Sequence, residues 1–514
     1  MRKQMMTVRI FSVRSVVVAT AAVMAAGCAV QPHAFTRDQL HSIAAQDKAR
    51  VNAEVPQLQG ELSLSEAIAR ALKYNLDHRT KILEQGYAAG ALEAAYYDLL
   101  PKLVASVDYS SRDNDPIRRS QDSITGSLDQ SHPFISSDRS HTLTGLGLSW
   151  NMLDFGVSYF NAKQQADRVL IASERRRKTM HELVRSVEAA YWRALSAQKL
   201  HDKVSATIKD AESALTDARK VENERLKAPA ESLRYQRALL ENLRTLESVQ
   251  QEMAVAQMEL AGLVNLPAGR DYRLSEPSGN EQLPQLTAQA EQLEAVAIAN
   301  NPDLREENYN ARIAALETRK ALVRLLPGIS LDYGYQHDTD SYLINKSWTE
   351  AGVQVSANLL NAFSYHSQKK LGKAGERLAE TRRMALQMAV VTQVHIAAQQ
   401  FEGAREQFER ADDIWRVDDR MQSLIENGES ARTESKLTGI ASRTSAILSL
   451  LRRYQALSNL HAAAGRVQAT LGLEPQIGSL DDISLQDLTR KIEASFLDWQ
   501  KVQSPTIDAK TNAG

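Results

Sequence analysis

The chain repeats itself, and no other feature restricts its fold as much. Ala71-Leu72-Lys73-Tyr74-Asn75-Leu76-Asp77 is matched by Ala297-Ile298-Ala299-Asn300-Asn301-Pro302-Asp303, and Leu99-Leu100-Pro101 by Leu325-Leu326-Pro327. Both pairs share one offset, 301 − 75 = 226 and 327 − 101 = 226. Further on, Gly145-Leu146-Gly147-Leu148-Ser149 is matched by Gly352-Val353-Gln354-Val355-Ser356 at 352 − 145 = 207, and Leu266-Pro267 faces Glu474-Pro475 at 475 − 267 = 208. Two tandem units result, 61–267 and 287–475, joined by a linker over 268–286. They differ chiefly in one loop, longer in the first unit by 226 − 207 = 19 residues. Residues 476–514 form a C-terminal segment, amphipathic at first and polar at its end.

Each unit orders its elements alike. A short helix opens it; Ser63 and Glu66 have capping-box spacing, so each can satisfy a free amide at the helix start. A longer helix runs to the Leu-Leu-Pro stop, where proline lacks an amide proton and disfavours helix in the residue before it. Strands are expected at 102–111 and 142–151, and at 329–337 and 349–359. Leu103, Ala105, Val107 and Tyr109 alternate with mostly polar neighbours, as do Leu331, Tyr333 and Tyr335. Period two with one apolar face marks strands wet on one side. The joining segments 111–141 and 337–348 are polar and fit surface loops. A long helix then runs from beyond Gly156 to Glu222 without proline or glycine, which gives it ~100 Å of length. Val184, Val187, Ala190, Tyr191 and Ala194 recur every three to four residues, as in a helix packed along a seam. The second unit's long helix is expected from Tyr365. Breaks at 225–231 and 427–434, the latter centred on Asn427-Gly428-Glu429-Ser430, return the chain through a second helix in each unit.

Residues 1–27 read as a secretory signal: basic Arg2, Lys3, Arg9 and Arg14, an apolar stretch from Ser15 to Ala26, then small residues. Its apolar run is too short to span ~30 Å of hydrocarbon. Cys28 is the only cysteine, and the small residues before it resemble the lipobox of bacterial lipoproteins, with Ala25 where leucine is usual. This implies a lipid on Cys28 and a lipid-anchored linker over 28–60. A single cysteine excludes a disulfide framework and Cys-ligated metal. Lys and Arg number 62 against 63 Asp and Glu, so no basic excess argues for nucleic acid. After the signal no apolar run reaches the ~18 residues of a membrane helix, so a membrane span must be β-barrel. The 11 histidines form no metal-spaced pair, and no phosphate loop, Gly-x-Ser-x-Gly or His-Glu-x-x-His occurs. No enzyme activity, metal or cofactor is expected. His181 and His395 read as seam or surface residues, and Arg175-Arg176-Arg177-Lys178 as a solvated or interchain face.

Four amphipathic strands cannot close a membrane barrel, which takes at least about eight. Open edges in lipid are not tolerated, so strands placed in a membrane must pair between chains. The fold class expected is mainly α with a small β part: two tandem repeats of long coiled helices plus a β-strand pair.

The duplicated order, the two Leu-Leu-Pro junctions, the opening helix from Leu64 to Leu76 and the Asn151-Met152-Leu153-Asp154-Phe155-Gly156 run resemble the TolC family of outer-membrane factors, its lipoprotein branch, over residues 58–480. The resemblance implies a homotrimer whose 12-stranded outer-membrane β-barrel continues into a periplasmic α-barrel. It implies a passive export duct for small molecules (drugs, metals) or secreted protein, partnered by a periplasmic adaptor and an inner-membrane transporter of RND or ABC type, and lodged in outer-membrane lipid. A type I protein secretion duct is one alternative; a periplasmic coiled-coil adaptor or structural lipoprotein is another. In the family the breaks form a closed periplasmic tip with an acid after each break. Leu226, Ala228, Glu231, Gly428, Thr433 and Glu434 are the tip residues so implied, with Glu231 and Glu434 as carboxylate rings under three-fold symmetry. A dipole-complementing role at helix starts is the competing reading of both acids. Arg225, Pro229, Ile425 and Ser430 depart from the family's tip pattern, which puts its closing contacts in doubt.

Overall fold

The computed structural model describes residues 33–224, 228–267, 272–276, 283–286, 289–431, 433–474, 483–499 and 501–502. The signal, Cys28 and Leu226 lie outside the described residues. The chain divides into two units, Met1–Gln57 and Leu58–Gly514. In the first, the stretch expected as a linker contains a helix, α1 (Arg37–Glu54). It starts on a reciprocal cap: Gln39 N donates to Thr36 Oγ1 (3.3 Å) and Thr36 N to Gln39 Oε1 (2.9 Å).

The second unit holds both repeats. The first comprises α2 (Leu64–Tyr74), α3 (Leu76–Tyr97), β1 (Lys102–Ser111), the short β2 (Ile117–Arg118) and β3 (Phe134–Ile135), β4 (Ser140–Asn151), α4 (Met152–Asn223) and α5 (Pro229–Leu263). After β5 (Gln285–Leu286), the second comprises α6 (Ala290–Asn300), α7 (Pro302–Val323), β6 (Gly328–Asp338), β7 (Ser347–Ser356), α8 (Asn361–Ser430) and α9 (Lys436–Leu471). The chain continues with α10 (Leu485–Trp499) and β8 (Lys501–Val502), which pairs in parallel with β5.

The repeat persists in detail. Asn75 and Asn301 cap α3 and α7, and their amides donate to Leu263 O (3.3 Å) and Thr470 O (2.9 Å). The acceptors lie 470 − 263 = 207 apart. Just past α5 and α9, Asn265 and Gly472 have φ of 57° and 65°, again 472 − 265 = 207 apart. A Cβ on Gly472 would overlap the Asn300 carbonyl, so only glycine fits there. Asn265 keeps its side chain because Nδ2 donates to Tyr74 O (3.2 Å).

Some boundaries move. Helix α8 begins at Asn361, not Tyr365, and β7 ends at Ser356, because the Asn358 side chain and carbonyl take the amides of Leu360 (3.1 Å) and Asn361 (2.9 Å) and turn the chain early. The expected break at 427–430 is helical; α8 runs to Ser430. Long helices α4 and α8 thus end at one offset, 430 − 223 = 207. Ser63 Oγ accepts from Glu66 N (3.1 Å), but the Glu66 carboxylate turns to Arg70 Nε (2.8 Å), a buried guanidinium it neutralises.

Strands β1-β4-β6-β7 form one antiparallel sheet with β1 and β7 at its edges. The register brings Leu103, Leu148, Tyr333 and Ala351 together on one face, and Val104, Gly147, Gly334 and Glu350 on the other. Leu103, Val107, Tyr109, Leu146, Tyr333 and Val353 are exposed, so the apolar face has no cover within the chain.

Below the sheet, α4 packs against α3, α5, α7 and α9, and α8 against α7 and α9. The largest core gathers α2, the middle of α4, α6 and the end of α9, with Leu488 and Ile492 of α10. Tyr191 anchors this belt, its hydroxyl near Leu62 O (3.1 Å) and Ser275 O (2.6 Å), while Gln198 pairs with both backbone groups of Leu274 (2.7 and 3.0 Å). Burial pushes the Tyr191 hydroxyl up to about 12. The basic run finds acids within the chain, although Arg175 and Lys178 stay exposed. Arg175 meets Glu306 (2.7 Å) and Lys178 meets Asp303 (2.8 Å), while Arg177 pairs with Glu174 and Glu474. The Arg175 and Lys178 pairs, with Arg305–Glu174 and Arg312–Asp167, make a charge ladder between α4 and α7.

Candidate functional site

The two helix-to-helix turns lie at the ends of α4 and α8 farthest along the chain from the sheet. At the first, Ala228 is the N-cap of α5 and offers no side-chain bond. Its carbonyl accepts from Glu231 N (3.0 Å) and Ser232 N (3.2 Å), and Pro229 supplies a first helical position that needs no amide partner. Glu231 is exposed in the first turn, where its charge complements the helix dipole. The hairpin is tied by Gln236 Nε2, which donates to Glu222 Oε2 (2.6 Å).

The second turn is built on Gly428. Its carbonyl accepts from Thr433 N (2.9 Å), Glu434 N (3.3 Å) and Thr433 Oγ1 (3.0 Å), which folds the chain over the end of α8. A Cβ at Gly428 would sit 2.8 Å from Glu434 Cγ, so glycine permits the fold-over. Ser435 then caps α9, its Oγ accepting from Thr438 N (3.2 Å).

The structure therefore brings Gly428, Thr433 and Glu434 together and sets Ala228 and Glu231 in the other turn. The two acids are not equivalent. Ala228 and Ser435 are matching N-caps at 435 − 228 = 207, yet Glu231 lies three residues after its cap and Glu434 one before. Only Glu231 fits the helix-dipole reading.

The contact the sequence did not reveal is Arg443. This α9 residue places Nη2 3.3 Å from Asp210 on α4 and Nη1 3.8 Å from Glu429 on α8, and its side chain is 22% exposed. Nε is buried with no hydrogen-bond partner. Gly439, one turn before, has no Cβ because the Glu429 carboxylate occupies that space. Arg443 therefore ties the first hairpin to both helices of the second, with one donor unspent. No motif announces it, since Arg443 is one of many charged residues on long helices. A faint signal was Gly439, a helix breaker inside a helical run.

Among the described residues no helix is long and apolar enough to cross a membrane, and no group of three or more His, Cys, Asp or Glu could hold a metal ion. His395 Nε2 lies 2.7 Å from Glu294, a surface pair, while His181 is buried.

Residues 67–266 match the family described as outer membrane efflux protein, whose members are channels rather than enzymes. By sequence alone, no curated protein matches. Among solved structures the chain is similar to CusC, at 15% identity and a TM-score of 0.61 over 82% of this chain and 96% of that one. The outer membrane channel CmeC of Campylobacter jejuni is similar at 12% identity and a TM-score of 0.61, over 84% and 90%. The open state of the outer membrane channel MtrE of Neisseria gonorrhoeae is similar at 17% identity and a TM-score of 0.57, over 79% and 90%.

Proposed function

We propose that this chain, which resembles the TolC-type outer-membrane efflux proteins in its first repeat and shares the fold of outer-membrane channels over most of its length, is the outer-membrane duct of a tripartite export system. It conducts passively, and energy comes from an inner-membrane transporter of RND or ABC type reached through a periplasmic adaptor. Cys28 carries the lipid that holds the N-terminus at the outer membrane.

The observation that carries this reading is a sheet with two open edges and a bare apolar face, set above helices of 72 and 70 residues. Copies of the chain must close the sheet, since lipid tolerates no edge. The repeat indicates how. Helix α7 packs against both α4 and α8, whereas among the long helices of the described residues α3, its counterpart, packs against α4 only. The face of α4 that receives α7 includes Gln164, Ile171 and His181; adding 207 gives Leu371, Leu378 and Met388 on α8, all exposed. On α3, Tyr87, Gly86 and Gly90 stand where α7 has Ile313, Arg312 and Leu316, at 313 − 87 = 226. Tyr87 is 83% exposed and Leu371 68%, and Gly86 and Gly90 face open space. We infer that α3 of one copy seats on α8 of the next, closing a ring; three copies is the number the resemblance implies.

Purified protein should migrate as a trimer and raise the conductance of a planar bilayer in discrete steps. A stable monomer without conductance would end this reading.

A further inference from the structure

Where α4, α7, α8 and α9 meet in the belt, a cavity of about 220 Å³ opens. We propose that this cavity binds a small oxyanion, held by Arg185 and Arg466.

Lys178, His181 and Arg185 lie along one stripe of α4, and Arg466 reaches in from α9. Opposite them are Asn301 and Asp303 at the start of α7. The lining charges are Lys178, Arg185 and Arg466 against Glu182 and Asp303, a balance of 3 − 2 = +1. Lys178 and Asp303 are spent on each other at 2.8 Å, and Arg185 also stands beside the buried Glu188 carboxyl. Arg466 holds Gln400 through Nη1 only, and its side chain remains exposed.

His181 forms part of the wall. Its residue is 4% exposed, it lines the cavity, and Nε2 is buried without any hydrogen-bond partner. Burial pushes the imidazole down to about 4, so it is neutral at neutral pH and adds no charge to the lining. The cavity has room for roughly seven waters' share of volume, enough for a phosphate-sized ion with part of its shell.

The fold does not require this set. At the repeat-related positions, 207 away, Lys178, His181 and Arg185 become Ala385, Met388 and Thr392, and Arg466 becomes Glu259. The sequence repeat therefore does not carry the basic set, and the matching face of α8 at Met388 is exposed in the chain.

The test uses the full chain in detergent, titrated with inorganic phosphate at constant ionic strength against a chloride control. Expected is saturable binding with Kd of about 1 mM or tighter, with an upward shift of the His181 imidazole titration followed by NMR. Arg466→Gln and Arg185→Gln should each weaken binding about tenfold, as loss of a charge-assisted hydrogen bond does. Their folding is checked by an unchanged melting profile. Acetate in the second arm separates sources: competition with phosphate assigns the site to carboxylate-bearing ligands as well, and silence assigns it to phosphate. Absence of saturable phosphate and acetate binding, or equal binding by both arginine variants, would overturn the proposal. Bilayer conductance in the same preparation reports on the duct separately, so either conclusion can fail without the other.

Discussion

Arg443→Gln should loosen the tip without unfolding the protein. The wild-type guanidinium contacts Asp210 at 3.3 Å and Glu429 at 3.8 Å, joining the hairpin of α4 and α5 to that of α8 and α9. Asp210 is 56% exposed, so solvent screens that pair to about 0.5–1 kcal/mol. Glu429, 25% exposed and farther away, adds a similar amount, for about 1–2 kcal/mol per chain. Glutamine keeps a donor of similar reach and removes the charge. If three copies open together, the loss sums to about 3–6 kcal/mol, a shift of roughly two to four decades in the closed-to-open ratio. The assay is single-channel recording in planar bilayers, comparing open probability of Arg443→Gln, Asp210→Asn and the double variant. The double variant should resemble Arg443→Gln, because both changes break one contact. An open probability unchanged in Arg443→Gln, or strictly additive effects of the two changes, would refute the argument.

Burial pushes the Glu188 carboxyl up to about 8, so stability should be full below about pH 4.5 and fall as pH rises through 8; Glu188→Gln should flatten the thermal-melt profile across that window. The fully buried His461, stacked on Trp192 at 4.9 Å and held down to about 4, works in the opposite sense, with stability lost as pH falls from 6.5 to 4. Gly472→Ala should cost about 1–3 kcal/mol, read as a lower melting temperature, because its Cβ meets the Asn300 carbonyl at positive φ; Asn265→Gly, at the matching position, should cost less than half of that. In a Cys28→Ala background, Tyr87→Cys with Leu371→Cys should form disulfide-linked multimers on oxidation, and a chain that stays monomeric on denaturing gels would exclude the ring contact.

The repeat made much of this fold legible. The Leu-Leu-Pro runs marked the same helix stop in both copies, Ser63 marked a cap in the first, and the alternation from Leu103 to Tyr109 marked the strand and its apolar face. Such signals are local: a cap needs only the next three residues and a strand face only its own period. The offset of 207 extended them, since it fixed where α5 and α9 must begin, even though the glycine at 428 suggested an earlier break than the one at Ala431. Glycine weakens a helix by about 1 kcal/mol, too little to end one that continues to pack.

Partner choice was not written in any local pattern. Arg175 to Lys178 looked like a solvated stripe because charge at helical spacing says nothing of what faces it; the acids of α7 that pair with it lie 125 or more residues away. Arg443, Asp210 and Glu429 come from three helices, and His181 and Arg466 line one cavity because α9 ends beside α4. The sequence by itself determined most of the elements and their duplication. Tertiary structure decided which charges are spent within the chain and which donors are left over, because that depends on the rotation and register of helices whose apolar seams would accept several neighbours equally well.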